Sequence, residues 1–338
     1  EDKISMAYFI DNQITGWDGS INPFSTAAGA GYLLLVQSGT DTLLKYDRDG
    51  GGNNLQTMVT FQNTQVSDFT AANFDPAYPP NGTVPAGVTL TGTASNDTLT
   101  GTIGTDTLIG MSGNDTLYGG ASDDLLQGGE GYDRIYGQAG NDTIEGGDGG
   151  GQLSGEDGND MIAGGSGADN INGGDGDDTI TSGDGNDTVN GGTGTNIIST
   201  GAGDDRVYAQ NYMSTNTIDT GDGNDWVDGL GYYSRNVIDL GAGDDVAQFN
   251  YLLGDASRPG VTTLTLGSGA DTIELPRYSI SQNENATITV TDFNVVEDKI
   301  SMAYFIDNQI TGWDGSINPF STAAGAGYLL LVQSGTDT

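Results

Sequence analysis

Between Leu99 and Val207 an aliphatic residue returns every nine positions: Leu99, Leu108, Leu117, Leu126, Ile135, Ile144, Leu153, Ile162, Ile171, Ile180, Val189, Ile198 and Val207. The residues between them are mostly glycines and short polar side chains, as in GGSGADNI and GGDGDDTI. One apolar position in nine matches neither the helical period nor the alternation of an ordinary half-buried strand. It reads as a Gly-rich turn of six residues followed by a strand of three, with one side chain pointing inward. Three residues cannot form an independent strand, so neighbouring units must stack. Two such units then make one coil, with a turn at each edge. The expected fold is all-β: a right-handed parallel β-roll with a thin aliphatic core.

Two positions before each aliphatic residue the chain carries aspartate: Asp97, Asp106, Asp115, Asp124, Asp133, Asp142, Asp160, Asp169, Asp178, Asp187 and Asp205, with Gly151 and Asn196 in the same register. Glycines precede them in phase. This pattern, GGxGxDxUx, resembles the RTX (repeats-in-toxin, haemolysin-type) calcium-binding family. The resemblance implies a roll whose turns hold calcium. The residue chemistry points the same way. Carboxylates and turn carbonyls offer oxygen alone, which suits calcium with its six to eight ligands at about 2.3–2.6 Å, whereas magnesium keeps its water shell. Stacked without cations, the carboxylates would lie only ~5 Å apart along each edge. Multiple Ca2+ ions are the expected cofactor.

The two edges differ. Every second register puts Asp97, Asp115, Asp133, Asp169, Asp187 and Asp205 on one edge, which continues with Asp225, Asp245 and Asp271 in DTGDGND, DLGAGDD and TLGSGAD. The other edge has Asp106, Asp124, Asp142, Asp160 and Asp178, and then Asn196 in place of the acid. Beyond Val207 the coils lengthen, as the steps from Asp205 to Asp225, Asp245 and Asp271 show, and the extra length falls on this second edge. At ~4.8 Å per coil, about ten coils give a rod of roughly 48 Å. The longer loops carry Tyr212, Tyr232, Tyr233, Tyr251, Arg235 and Arg258. Such residues favour binding surfaces; stapling along the roll edge, contact with a neighbouring subunit and glycan stacking all remain open readings.

Residues 1–42 recur letter for letter as 297–338, at an offset of 296. A cloning duplication would give the same identity. The reading adopted is a window on a tandem or head-to-tail array with that period. Residues 31–61 read as a small antiparallel sheet, GYLLLVQSG, TLLKYDRDG and LQTMVTFQ. The domains expected are a small antiparallel cap at 1–75, a Pro-rich linker at 76–87, the roll at 88–275, and an incomplete second cap beginning at 276–338. Pro76, Pro79, Pro80 and Pro85 make the linker a semi-rigid spacer. The segments ATITVTDFNVVEDKI, DRDGGG and VTFQNTQVSDF are similar to the C-terminal target domain of type I secreted RTX proteins. That resemblance implies export without an N-terminal signal and folding outside the cell, at millimolar calcium. For Asp47 and Asp49 in DRDGGG, a plain hairpin turn and an additional calcium site are both open. The incomplete copy suggests strand complementation, 297–338 pairing with 43–75 of a neighbour.

Composition narrows the function classes. Lys+Arg number 9 against 47 Asp+Glu, giving a net charge of −38, with no His and no Cys. Forty of the acids are Asp and 7 are Glu, a bias toward tight turns rather than helices. Disulfides, zinc fingers, thiol nucleophiles and a Ser-His-Asp triad are excluded, and the charge argues against phosphate-backbone binding. No run is long and apolar enough to span a membrane. No GxSxG occurs, and the in-phase acids leave few carboxylates for glycoside chemistry. Three positions before each Asp stand Ala94, Ile103, Ser112 and Ala121, not the regular threonine rank that ice binding needs. The expected function is an extracellular, calcium-dependent structural repeat forming a filament or a surface or matrix fibre. The alternatives are a stalk module of a long type I secreted adhesin, or the calcium-binding module of an RTX enzyme. The expected partners are further copies of the chain and a surface or matrix polysaccharide.

Overall fold

The computed structural model describes residues 4–5, 33–38, 40–46, 56–62, 74–75, 86–209, 214–228, 234–249, 260–275 and 286–301. Among these residues there is no helix; the fold is all-β, and its repeats form a parallel β-roll. The chain divides into two compact units, 1–185 and 186–338.

In the first unit one sheet holds Thr89–Thr91, Thr107–Ser112, Leu125–Glu130, Thr143–Asp148, Met161–Ser166 and Thr179–Asp184, and the other holds Thr98–Thr100, Thr116–Ala121, Asp133–Ala139, Gly151–Asp157 and Asp169–Asp175. Within each sheet every strand lies parallel to the next but one in the chain: Leu126 faces Ile144 across one ladder, and Ile135 faces Leu153 across the other. The aliphatic residues from Leu108 to Ile180 are at most 2% exposed, while Leu99, in the first coil, is half-buried. The nine-residue apolar period is therefore the core itself.

Most strands here run six or seven residues, longer than the three expected. The Gly-rich segment goes on pairing after the inward residue, as in Gly129 opposite Gly147 and Glu130 opposite Asp148. Gly120, at φ +122°, shows what this costs an L-residue: a Cβ there would meet the carbonyl of Thr102. The same unit contains an antiparallel three-stranded sheet, Leu33–Ser38, Asp41–Tyr46 and Gln56–Phe61, with a register shift between Leu44 and Lys45.

The second unit repeats the plan. Thr195–Ala202, Thr215–Asp219, Arg235–Asp239, Gly260–Thr265 and Ala286–Val290 form one sheet, and Thr188–Asn190, Arg206–Tyr208, Trp226–Asp228, Val246–Gln248, Thr272–Glu274 and Lys299–Ser301 the other. Parallel pairing continues past the boundary expected at 275: Leu264 faces Val290 and Ile273 faces Ile300. The core gains Ala209, Leu240, Phe249 and Leu266, each at most 1% exposed. Outside, the Arg206 guanidinium lies 3.6 Å from the Trp226 ring centroid. Of the aromatic loops, Tyr212, Tyr232, Tyr233, Tyr251 and Arg258 lie outside the described residues, as do Asp47, Asp49, residues 76–85 and the end of the second copy from 302.

Candidate metal centre: two rows of buried carboxylates

Each in-phase aspartate sits where a Gly-rich turn enters a strand. In most of them one oxygen crosses to the preceding coil. In the first unit one row runs from Asp97 N–H to Asp115 Oδ1 (2.7 Å) and Asp115 N–H to Asp133 Oδ1 (2.8 Å). The opposite row runs from Val88 N–H to Asp106 (2.6 Å), Asp106 to Asp124 (2.7 Å), Asp124 to Asp142 (2.8 Å), Asp142 to Asp160 (2.8 Å) and Asp160 to Asp178 (2.9 Å). Gly151 interrupts the first row, and Asp169 stands opposite it in register. In the second unit the row is Asp187 to Asp205, Asp205 to Asp225 and Asp225 to Asp245, each 2.8 Å, then Asp245 to Asp271 at 3.0 Å. Thirteen of the fourteen candidate aspartates are at most 4% exposed; Asp97, in the first coil, is half-buried.

The second oxygen divides these residues. Oδ2 of Asp115, Asp124, Asp133, Asp142, Asp160, Asp205, Asp225 and Asp245 is buried and accepts no hydrogen bond. A buried carboxylate oxygen left in that state is expensive and calls for a compensating charge. Asp97 and Asp106 are different. Asp97 Oδ2 accepts from Thr93 N–H at 2.6 Å and Thr93 Oγ1–H at 2.9 Å, and Asp106 Oδ2 accepts from Thr102 N–H. Both oxygens of Asp106 are thus occupied by its own chain, and Asp97 Oδ2 is likewise. The sequence shows a reason: these two turns place threonine, Thr93 and Thr102, four residues before the acid, where the later turns have a residue of positive φ such as Met111, Gly120 or Gly129.

The surroundings of the orphan oxygens suit a hard cation. A Cβ on Gly119 would stand 2.6 Å from Asp124 Oδ2 and 2.6 Å from the Gly137 carbonyl oxygen. Glycine thus keeps open a cradle lined by a carboxylate and a main-chain oxygen, as Gly128 does for Asp133 and the Gly146 carbonyl. Among the described residues no three acidic side chains converge on a common point. A cation held here would therefore draw on carbonyls as well as carboxylates, an all-oxygen set of the kind calcium takes. Gly119 does not adopt a positive φ, so Gly119→Ala leaves the backbone unstrained but fills the cradle. It should abolish cation uptake at that turn and lower the midpoint of urea denaturation in calcium, while Thr116→Ala, on the outer face of the same strand, stays close to the parent.

Burial, partly offset by the N–H each accepts, pushes these acids upward: Asp124 to about 8, Asp142, Asp160 and Asp245 to about 7, and Asp178 and Asp225 to about 6. Asp133, Asp205 and Asp271 are raised by the same cause. An acid whose folded value lies above its unfolded one holds more protons in the native state, so stability falls as pH rises between the two. In calcium-free buffer the roll should therefore be least stable above about pH 8 and gain stability as the pH drops toward 5. Thermal unfolding monitored by circular dichroism across that range checks the sign.

Three further features escaped the sequence reading. Asp298 continues the second unit's row, accepting from Asp271 N–H at 3.2 Å, and its Oδ2 accepts from Asn294 N–H at 2.6 Å. Asp292, in the same turn, takes Leu266 N–H at 2.8 Å and Gly267 N–H at 2.9 Å on that same edge. Neither acid follows a GGxG turn; the step from Asp271 to Asp298, close to that from Asp245 to Asp271, was the one available signal. The third feature is the chain of amides at Asn196, Asn216 and Asn236.

A comparison with curated proteins finds no match to this chain. No helix among the described residues is long and apolar enough to cross a membrane. Residues 89–117, 118–153, 154–189 and 181–211 each match the RTX calcium-binding nonapeptide repeat. The matched stretch contains both rows of the first unit and the start of the row in the second. Residues 89–211 thus match a run of RTX calcium-binding nonapeptide repeats.

Proposed function

We propose that this chain is an extracellular structural module whose roll is closed by calcium, built to give length and stiffness by head-to-tail or tandem joining of 296-residue units into a filament or surface fibre. The observation that carries the calcium half is the set of buried Oδ2 atoms that accept no hydrogen bond. Asp115, Asp124, Asp133, Asp142, Asp160, Asp169, Asp178, Asp187, Asp205, Asp225, Asp245 and Asp271 would be the carboxylate ligands, with turn carbonyls such as that of Gly137 completing the shell. Bound calcium supplies ligation and charge neutralisation. Asp97 and Asp106 act chiefly by locking the first turns. The Oδ1 of most of these ligands meanwhile ties one coil to the one before it, so ligation and coil stacking share residues and folding is coupled to the ion.

The assembly half is supported by the identity of 1–42 with 297–338. No His, no Cys and no GxSxG support a non-enzymatic role. Export fits a chain that cannot close its rows until it meets millimolar calcium. Negative-stain electron microscopy of the full chain, in calcium and after chelation, tests the proposal. Straight fibres that dissolve on chelation are the expected result. Isolated rods in calcium would replace the filament with the stalk of an adhesin, and fibres indifferent to chelation would remove the calcium half.

A further inference from the structure

Among the described residues of the second unit, the register opposite the aspartate row carries amides in place of carboxylates. Asn196, Asn216 and Asn236 occupy one register of adjacent parallel strands and are at most 3% exposed. Asn196 Nδ2–H donates to Asn216 Oδ1 at 3.1 Å, and Asn216 Nδ2–H donates to Asn236 Oδ1 at 3.0 Å. The other amide hydrogens are used as well: Asn216 Nδ2–H reaches Ser214 Oγ at 3.2 Å, Asn236 Nδ2–H reaches Ser234 Oγ at 3.3 Å, and Asn196 Nδ2–H lies 3.4 Å from the Gly192 carbonyl. Thr262 follows in register, itself 3% exposed.

An amide carries both a donor and an acceptor, so a stack of amides satisfies itself. A carboxylate only accepts, so a stack of carboxylates leaves oxygens over and adds a charge with every coil. The opposite edge of these coils holds Asp205, Asp225 and Asp245, each with a buried Oδ2 that accepts nothing. We infer that, among the described residues of 186–301, calcium is held along the Asp187–Asp271 edge, and that the register bearing Asn196, Asn216 and Asn236 closes without a cation. The inference rests on the calcium reading of the aspartate rows. Its consequence is an ordered response: the strands carrying the amides form at lower calcium than coils that need the ion at both edges, and they offer a pre-formed surface on which further coils can stack.

Hydrogen exchange of the full chain, read by mass spectrometry across a titration of free calcium, tests this. Peptides covering 215–219 and 235–239 should gain protection at several-fold lower calcium than peptides covering 143–148 and 161–166. In N216D/N236D that advantage should vanish, the first pair moving up to the midpoint of the second while the second stays in place. If the double variant stays unprotected at every calcium level, N216D alone is compared in the same way. Equal midpoints in the parent chain, or an advantage that survives the Asp substitutions, would overturn the inference while leaving the calcium reading intact. Protection that ignores calcium everywhere would overturn both.

Discussion

Asp142→Asn should destabilise the roll in calcium and stabilise it in calcium-free buffer. The substitution keeps an oxygen able to accept the Asp124 N–H, 2.8 Å away, and keeps the Asp142 N–H that donates to Asp160 Oδ1. What changes is Oδ2, buried and accepting no hydrogen bond. With calcium present, the variant loses a buried charge facing a cation, and breaking such a pair costs about 3–5 kcal/mol. Without calcium, the parent must bury a carboxylate raised to about 7, and the neutral amide relieves that penalty, a gain of about 1 kcal/mol above neutral pH. Urea denaturation of parent and variant in both buffers gives the two differences. A merely structural hydrogen bond would lower stability in both, so the reversal of sign is diagnostic. Asp106→Asn, where both oxygens are already held by Val88 and Thr102, should show no reversal.

Ile144→Ala should cost about 3–4 kcal/mol in calcium, the upper half of the range for such truncations. Ile144 is completely buried, between Leu126 and Ile162 on the parallel ladder. The roll offers only one inward-facing aliphatic side chain in each nine-residue unit, so no neighbour can collapse into the space. Because each coil is templated by the next, the loss should spread to adjacent turns, and calcium uptake at Asp142 and Asp160 should weaken with it. Ile144→Val should cost about 1 kcal/mol. The same urea curves measure both; a cost below about 1 kcal/mol for the alanine variant would mean that the thin core carries little of the stability.

The roll was legible because two periods coincide. Thirteen aliphatic residues at nine-residue spacing define a core, and the aspartates two positions earlier define its edges. A stacked parallel coil is the arrangement that satisfies both. The sorting of Asp115 and Asp133 onto one edge and Asp124 and Asp142 onto the other follows from a coil built of two units, and the N–H to Oδ1 ladders run in those registers. What the pattern could not convey is the use of each oxygen. Asp97 and Asp115 look alike in register, yet Thr93 occupies the Oδ2 of the first, and no such donor reaches the second. Strand length was hidden because glycine discourages extended pairing in isolation, whereas here Gly129 and Gly147 pair across coils. Asn196 reads in sequence as a lost ligand. Only beside Asn216 and Asn236, brought level by the lengthened coils, does it become part of a different solution to the same edge.

The most direct test of the central claim, that the buried carboxylate rows are closed by calcium, is far-ultraviolet circular dichroism of the full chain at pH 7.5 in millimolar calcium, after chelation, and after adding back calcium or magnesium. The strand signal should be lost on chelation, return with calcium and fail to return with magnesium. A spectrum unchanged by the chelator would contradict the account, because the rows from Asp115 to Asp271 would then be stable with their charges uncompensated.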